Sequence, residues 1–292
     1  MRLLAIGDIH GYRDKLERLM DQVCPTEADQ VVFLGDYVDR GPDSKGVLDV
    51  LIAFCERFPK TVFLQGNHEQ MMLDYLHRQH PLPGWMPLAE RSLRYAWENR
   101  RAGPGIWLHN GGRQCLESYP ERKPAAAHID FLLKTRLFFE FDRYLFVHAS
   151  VAPDWPLAEQ DPFDLLWERG PLGPCVGPPA GKVVVCGHTP RDEPLFGKHR
   201  VELDTGSTRG PAYPLTCADL LSGRVWQAAG APEPEEPEPW RSTQSDPPEE
   251  AMSVLLSDGI NEVDAWYRQG FFIGGECADL AVYTRWRKRT RW

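Results

Sequence analysis

Three short motifs decide how this chain folds: Gly7-Asp8-Ile9-His10-Gly11, Gly35-Asp36-Tyr37-Val38-Asp39-Arg40-Gly41 and Gly66-Asn67-His68-Glu69. Each follows a short apolar run that ends near glycine, as buried parallel strands do. Asp36 comes 28 residues after Asp8, and Asn67 comes 31 residues after Asp36. Because one strand-helix-strand unit takes up about 30 residues, this spacing predicts a parallel sheet that brings the three motifs together at one edge.

The segments between and after the motifs predict the layers around that sheet. Apolar residues recur at helical spacing over 16–23 and over 47–55, which gives a βαβαβ opening. Residues 70–140 show a mostly helical pattern, and strand patterns return at 144–147, 183–186, 200–203, 215–220 and 225–228. We therefore expect an α/β (α+β) fold, in which a two-layer mixed β-sheet sandwich is flanked by helices.

The composition changes after residue 230. The stretch 231–250 contains six prolines, seven acidic residues and one arginine. Proline removes backbone donors and like charges repel, so this stretch cannot pack into a core. We expect a main domain over 1–230, a Pro/Glu-rich linker over 231–250 and a small helical appendage over 251–292.

The overall composition is that of a soluble globular protein. Charged residues make up 26% of the chain, and no apolar run approaches the ~18 residues of a membrane span. The first strand begins directly at the start of the chain, which predicts a cytoplasmic location. The net charge of −9 gives no support to general nucleic-acid binding. None of the seven cysteines forms a Cys-x-x-Cys pair, so a thiolate zinc site is not expected.

Carboxylate, imidazole and amide side chains gather at the predicted sheet edge. These oxygen and nitrogen donors suit a pair of first-row divalent cations. Asp8 and His10 lie on one turn and can both reach a first ion. Asp36, at the neighbouring strand end, is the natural bridge between two ions, and Asn67 can reach the second.

Two later histidines can complete the ligands of the second ion. His148 and His188 each follow a predicted strand. A single histidine after a strand is more often structural, but two of them in matching positions beside three earlier motifs are better explained as ligands. The remaining histidines lack such a context, so we expect packing or surface positions for residues 77, 80, 109, 128 and 199.

In this order the motifs GDIHG, GDYVDRG, GNHE, Val147-His148 and Gly187-His188-Thr189 resemble the phosphoprotein-phosphatase branch of the calcineurin-like metallophosphoesterases. Bacterial diadenosine tetraphosphatases and lambda-type Ser/Thr phosphatases resemble the chain most. Further matches are Trp107–Gly112, Leu165–Arg169 and Leu203–Gly206. The resemblance covers about residues 1–228, so it implies a metallophosphoesterase catalytic domain for 1–230 and says nothing of 231–292.

The resemblance also implies two divalent metal ions. Their ligands would be Asp8, His10 and Asp36 for one ion, and Asp36, Asn67, His148 and His188 for the other. We expect Mn²⁺, with Fe, Zn, Co and Mg as alternatives. A water shared between two cations loses its proton near neutral pH, and this bridging hydroxide would attack phosphorus in line without a phosphoenzyme.

On the substrate side, the resemblance assigns proton donation and phosphate binding. His68 would protonate the departing oxygen, with Asp39 as its partner. Arg40, Asn67 and Arg169 would hold phosphate oxygens, for which the planar guanidinium fork is well suited.

Two substrate classes compete. The spellings GDYVDRG and GNHE are closer to those of protein Ser/Thr phosphatases, whereas diadenosine tetraphosphatases tend to differ at Asp39 and to have GNHD. Residues 71–119 contain three tryptophans and several arginines, which could stack a base and grip a polyphosphate. We favour symmetrical hydrolysis of dinucleoside polyphosphates such as diadenosine tetraphosphate to ADP, with a lambda-type Ser/Thr phosphatase as the alternative. The expected partner is thus a nucleotide or a phosphoprotein, and an inactive scaffold is disfavoured because every motif residue is present.

Overall fold

Two five-stranded mixed sheets form the centre of the described chain. The computed structural model describes residues 1–98, 105–152, 155–169 and 181–230. The strands are β1 (Leu3–Ile6), β2 (Gln30–Phe33), β3 (Val62–Phe63), β4 (Phe138–Phe141), β5 (Tyr144–Val147), β6 (Val183–Cys186), β7 (Leu195–Phe196), β8 (Arg200–Glu202), β9 (Leu215–Asp219) and β10 (Val225–Ala228). The first sheet has the order β10-β9-β1-β2-β3, and the second has the order β4-β5-β6-β8-β7.

The three strands that precede the opening motifs lie side by side. β1 pairs in parallel with β2, and β2 pairs in parallel with β3. In the second sheet β5, β6 and β8 are also parallel. Because parallel strands share one carboxyl edge, each sheet presents its motif-bearing loops at a single edge.

Helices cover the outer faces of the two sheets. In the described residues they are α1 (Arg13–Val23), α2 (Ser44–Arg57), α3 (Asn67–Gln79), α4 (Leu88–Arg91), α5 (Leu93–Glu98), α6 (Arg113–Glu117), α7 (Ala126–Leu133) and α8 (Pro162–Trp167). None of the helices in this part of the chain is long and apolar enough to cross a bilayer. Asp43 begins α2 by accepting a hydrogen bond from the backbone N–H of Gly46 at 2.7 Å, a side-chain cap worth about 1 kcal/mol.

Alternate residues of each strand face different layers. Leu3 of β1 packs with Phe146 and Val185 of the second sheet, so the two sheets share an inner core. Leu4, the next residue, packs on the opposite face with Leu16 of α1. Each fully buried leucine contributes about 1.5–3 kcal/mol of transfer free energy. The predicted sandwich with flanking helices is confirmed.

Two strands were not anticipated from the sequence. β4 lies inside the stretch predicted to be mostly helical, and it pairs antiparallel with β5 at a sheet edge. Its three phenylalanines are only partly buried and Glu140 is exposed, and the sequence Phe-Phe-Glu-Phe lacks the alternating pattern that marks a one-sided strand. β7 has two residues, too few for any period. The predicted linker and appendage lie outside the described residues, and the limits of all three predicted domains stay predictions.

Candidate metal-binding active site

The loops after five strands meet at the site, and their backbone is unusual. Left-handed φ angles occur at His10 (50°), Asp36 (53°), Asp39 (75°), Arg40 (65°) and His188 (64°). This conformation costs a non-glycine residue about 1–2 kcal/mol. Such strain persists where the surrounding structure holds it in place, most often at functional sites.

Asp36 lies at the centre of the site. Within the described residues, potential ligand atoms converge in two buried clusters, His10–Asp36–His68 and Asp36–His148–His188, and Asp36 belongs to both. Its carboxylate is 3.3 Å from His10 Nε2 and 3.4 Å from His148 Nε2. Although burial opposes it, the charges of His148, His68 and His10 hold the pKa of the Asp36 carboxyl well below its usual value. An ionised carboxylate shared by two clusters suits a bridging ligand.

Three of the four imidazoles are held by backbone carbonyls. The pairs are His10 Nδ1 with Val38 O at 3.0 Å, His148 Nδ1 with Leu34 O at 2.9 Å, and His188 Nε2 with Trp167 O at 3.1 Å. A carbonyl can only accept, so each ring carries a proton on that nitrogen and, when the ring is neutral, turns the lone pair of its other nitrogen toward the site. Burial lowers the pKa of His10 to about 4 and that of His188 well below its usual value.

Asn67 supplies an oxygen between two of those lone pairs. Its Oδ1 is 3.0 Å from His148 Nε2 and 3.1 Å from His188 Nδ1. When both rings are neutral, with their protons on the carbonyl side, no hydrogen lies between these acceptor atoms, and they repel one another. Although burial opposes it, the charge of Asp36 raises the pKa of His148, and a protonated His148 ring would donate from Nε2 instead. A divalent cation among them removes the repulsion, so the residues present fit a metal ion with oxygen and nitrogen ligands.

Asp8 lies beside these clusters, and its ligand atoms are not among those that converge. Its carboxylate accepts the backbone N–H of His188 at 3.0 Å. Burial, together with the charges of Asp204 and Asp36, raises the pKa of Asp8 well above its usual value. Crowded buried carboxylates of this kind are stabilised by a neighbouring cation. The assignment of Asp8 to the first metal stays a prediction.

His68 is held differently from the other three imidazoles. Its Nδ1 is 2.6 Å from Asp39 Oδ2, a carboxylate rather than a carbonyl. Trp107 Nε1 donates to both oxygens of Asp39, at 2.9 and 3.0 Å. Burial lowers the pKa of His68 and raises the pKa of Asp39. The structure therefore separates one imidazole, backed by a carboxylate, from three that are backed by the main chain.

The comparisons with known proteins follow this geometry. The family model described as calcineurin-like phosphoesterase matches residues 1–207. The chain belongs to the calcineurin-like phosphoesterase family. It is therefore a metal-dependent phosphoesterase.

Individual relatives of this phosphoesterase match parts of it. A Caenorhabditis elegans protein described as a candidate serine/threonine-protein phosphatase is 42% identical over 66 residues, which are 22% of this chain and 18% of that protein. A crystal structure described as a candidate diadenosine tetraphosphatase has a TM-score of 0.54 at 20% identity, covering 78% of this chain and 93% of the other. The cold-active protein-tyrosine phosphatase of a psychrophilic Shewanella species has a TM-score of 0.50 at 16% identity, covering 78% and 80%. The two structures show a shared fold.

Glu69 organises the phosphoesterase site, although the sequence motifs assigned it no role of its own. Its buried carboxylate accepts the backbone N–H groups of Gly66 and Asp36 through Oε2, at 2.9 and 2.8 Å, and those of Tyr37 and Val38 through Oε1, at 2.8 and 3.2 Å. Burial raises the pKa of Glu69 to about 7. A glutamate three residues after Gly66 has the spacing of a capping box, which was the available signal.

The two predicted phosphate-binding arginines are both exposed at the site. Arg40 Nη1 is 3.4 Å from His10 Nε2, and the Arg40 amide donates to Gly111 O at 3.5 Å. Gly111 has a φ of 108°, and a Cβ there would lie 2.6 Å from Arg40 N, so only glycine allows this approach. Arg169 follows α8, and its charge adds to burial and to His148 in lowering the pKa of His188.

Proposed function

We propose that this phosphoesterase is a phosphomonoesterase acting on phosphoserine or phosphothreonine, with Asp36 shared between two divalent ions. The observation that carries the proposal is the buried His68–Asp39 pair. The alkoxide of serine or threonine is a poor leaving group and needs a proton as it departs, whereas ADP leaves readily as an anion. A dedicated proton donor therefore contributes most with a phosphomonoester.

The proposed roles follow the residues. His10, Asp36, Asn67, His148 and His188 would hold the ions, with Asp8 completing the first. Bound there, two cations would polarise a water molecule and offset the charge of the phosphate. We propose Mn²⁺, because carboxylate and amide oxygens together with imidazole nitrogens accommodate it.

The substrate would be held and protonated by the remaining residues. The exposed guanidinium groups of Arg40 and Arg169 orient the phosphate oxygens. His68 Nε2 gives its proton to the departing alkoxide, while Asp39 fixes the ring through Nδ1. The negative charge of the bound phosphate favours the protonated ring and opposes the effect of burial. Water and phosphoester thereby yield alcohol and inorganic phosphate.

Symmetrical cleavage of dinucleoside polyphosphates, which the sequence favoured, remains the second candidate. One observation supports it: Arg113 is exposed, two residues beyond the Gly111 that contacts Arg40. The guanidinium group of Arg113 could bind additional phosphate groups of a polyphosphate. The tryptophans support it less, because Trp107 is fully buried against Asp39 and Trp85 donates to Asp74 at 2.9 Å. The Trp97 side chain and the arginines at 100 and 101 lie outside the described residues.

Product analysis separates the two candidates. A phosphothreonine peptide and diadenosine tetraphosphate are each incubated with the same concentration of protein in Mn²⁺, and the products are resolved by chromatography. We expect phosphate release from the peptide to be the faster reaction. If ADP is the sole nucleotide product and forms faster than phosphate is released from the peptide, the second candidate is the function. Turnover of neither substrate would contradict both. The predicted cytoplasmic location is compatible with either and stays a prediction.

A further inference from the structure

A line of hydrogen bonds runs outward from His188. Its Nε2 lies 3.1 Å from the carbonyl oxygen of Trp167. The indole Nε1 of Trp167 donates to Gln70 Oε1 at 3.0 Å, and Gln70 Nε2 donates to Asp74 Oδ2 at 2.5 Å. The roles of the Gln70 amide are fixed, because an indole N–H can only donate and an ionised carboxylate can only accept.

The outer end of this line is anchored in the segment before α4. Asp74 accepts Trp85 Nε1 at 2.9 Å and the backbone N–H of Leu88 at 3.2 Å. Gln70 is fully buried and Asp74 is nearly so. The side-chain amide of Gln70 thus joins the segment 85–88 to Trp167, and a buried amide that loses either partner leaves an unsatisfied polar group behind.

Arg94 of α5 also holds α8 and the residue that follows Trp167. Arg94 of α5 donates to Asp164 within α8 and to Glu168 just beyond it. Arg169 comes next. The three-residue segment 167–169 therefore supplies both the carbonyl that fixes the His188 ring and a guanidinium at the site.

We propose that Gln70 is a positioning residue for the metal site. By holding the Trp167 indole, it keeps the Trp167 carbonyl against His188 Nε2, which leaves His188 Nδ1 as the lone pair facing Asn67. The same hold sets the place from which Arg169 reaches the phosphate. This inference rests on the roles of His188 and Arg169 in the proposed function. Loss of a partner that orients a metal-binding histidine typically weakens metal affinity about 10–100-fold.

Three variants test the inference. Gln70→Met keeps the size of the side chain and removes both hydrogen bonds. Gln70→Glu sets two carboxylates against each other. The double variant Gln70→Glu/Asp74→Asn restores a donor and an acceptor between positions 70 and 74, and the carboxylate introduced at position 70 still accepts the Trp167 N–H. The amide nitrogen that replaces Asp74 Oδ2 no longer accepts the Leu88 N–H, so this one hydrogen bond is lost. Gln79→Met, at an exposed position of the same helix, is the matched control.

The main readout is calorimetric titration of Mn²⁺ into the metal-free full-length protein, accompanied by thermal melting and by KM for the phosphopeptide. We expect each single Gln70 variant to bind Mn²⁺ about 10–100-fold more weakly and to raise KM. The double variant should bind Mn²⁺ more tightly than Gln70→Glu, because the donor–acceptor pair between positions 70 and 74 is restored. Gln79→Met should bind Mn²⁺ as tightly as the parent.

Unchanged Mn²⁺ affinity in Gln70→Met and Gln70→Glu would overturn the inference. So would a double variant that regains its melting temperature without regaining its affinity, because Gln70 would then serve packing alone. If a variant fails to fold, the other two still decide by the same titration. A parent protein that binds Mn²⁺ but hydrolyses no phosphoester would contradict the proposed function and leave the Mn²⁺ titrations to judge Gln70.

Discussion

Buried carboxylates at the two ends of β1 and β2 have opposite electrostatic environments. At the amino end, the Arg2 side chain donates to the Asp29 carboxylate at 2.6 and 3.2 Å, and Asp29 also accepts the backbone and hydroxyl of Thr26, each at 2.9 Å. Although burial opposes it, these hydrogen bonds lower the pKa of Asp29. At the carboxyl end, Asp8 is buried beside the carboxylates of Asp204 and Asp36, and no cation of the described chain pairs with Asp8 at salt-bridge distance.

This difference separates stability from function. A carboxylate with a full set of donors favours the folded state over the unfolded one. Carboxylates and imidazole lone pairs that face one another, on a left-handed backbone, raise the free energy of the folded chain until a cation binds. Natural proteins tolerate such sites because activity requires them. A variant at the amino end should therefore lower the free energy of unfolding, whereas a variant at the carboxyl end should change metal binding and turnover.

Asp36→Asn should produce the largest effect. Removing a charged ligand that both clusters share should lower Mn²⁺-dependent turnover of every substrate by at least about a thousandfold, equivalent to about 4 kcal/mol. The measurement is initial rate at saturating Mn²⁺ with p-nitrophenyl phosphate and with the phosphopeptide.

Asp29→Asn is the matched control for that measurement, since it makes the same chemical change at the other end of the same strands. Its turnover should stay within about twofold of the parent at a temperature where both are folded. Retained activity in Asp36→Asn would contradict the bridging role.

His68→Asn comes next, and its effect should depend on the leaving group. A proton donor is worth about 10²–10⁴-fold, and we expect that loss with phenyl phosphate, whose phenolate leaves poorly. With p-nitrophenyl phosphate the loss should be far smaller, because that phenolate needs no proton. Equal losses on the two substrates would assign His68 to metal binding, as its place in the His10–Asp36–His68 cluster also allows.

The sequence predicted the central ligands because their signals are local. Asp36, Asn67 and His188 sit in short motifs after strands, and the spacing of about 30 residues fixed their common edge. Glu69 and Gln70 were not assigned roles, because each acts through backbone or side-chain groups that only tertiary folding brings near. The same holds for Trp107, whose contact with Asp39 spans 68 residues.

Asp29→Asn should have an intermediate effect, on stability alone. Because the folded-state pKa of Asp29 lies below its unfolded value of about 3.9, its stabilisation is present above that pH and is lost as the pH falls further. We expect the variant to lose about 2 kcal/mol of unfolding free energy at pH 7. The deficit, measured by urea denaturation, should shrink progressively below about pH 4. A deficit that does not change with pH would mean that the carboxylate charge is not its source.

Asp8→Asn should have the smallest effect on the stability of the metal-free protein, and that effect should have the opposite sign. Burial and the neighbouring Asp204 and Asp36 raise the pKa of Asp8, so its charged form costs folding free energy at pH 7. The neutral amide keeps an oxygen to accept the His188 N–H and removes that cost. In the metal-free protein we expect a gain of about 1 kcal/mol, which raises the melting temperature by about 2–4 °C. Saturating Mn²⁺ should reverse the order, because the parent binds the ion more tightly and gains more from it. A variant that melts below the parent in chelator would show that the carboxyl end is not under electrostatic strain, and the contrast between the two ends would fail.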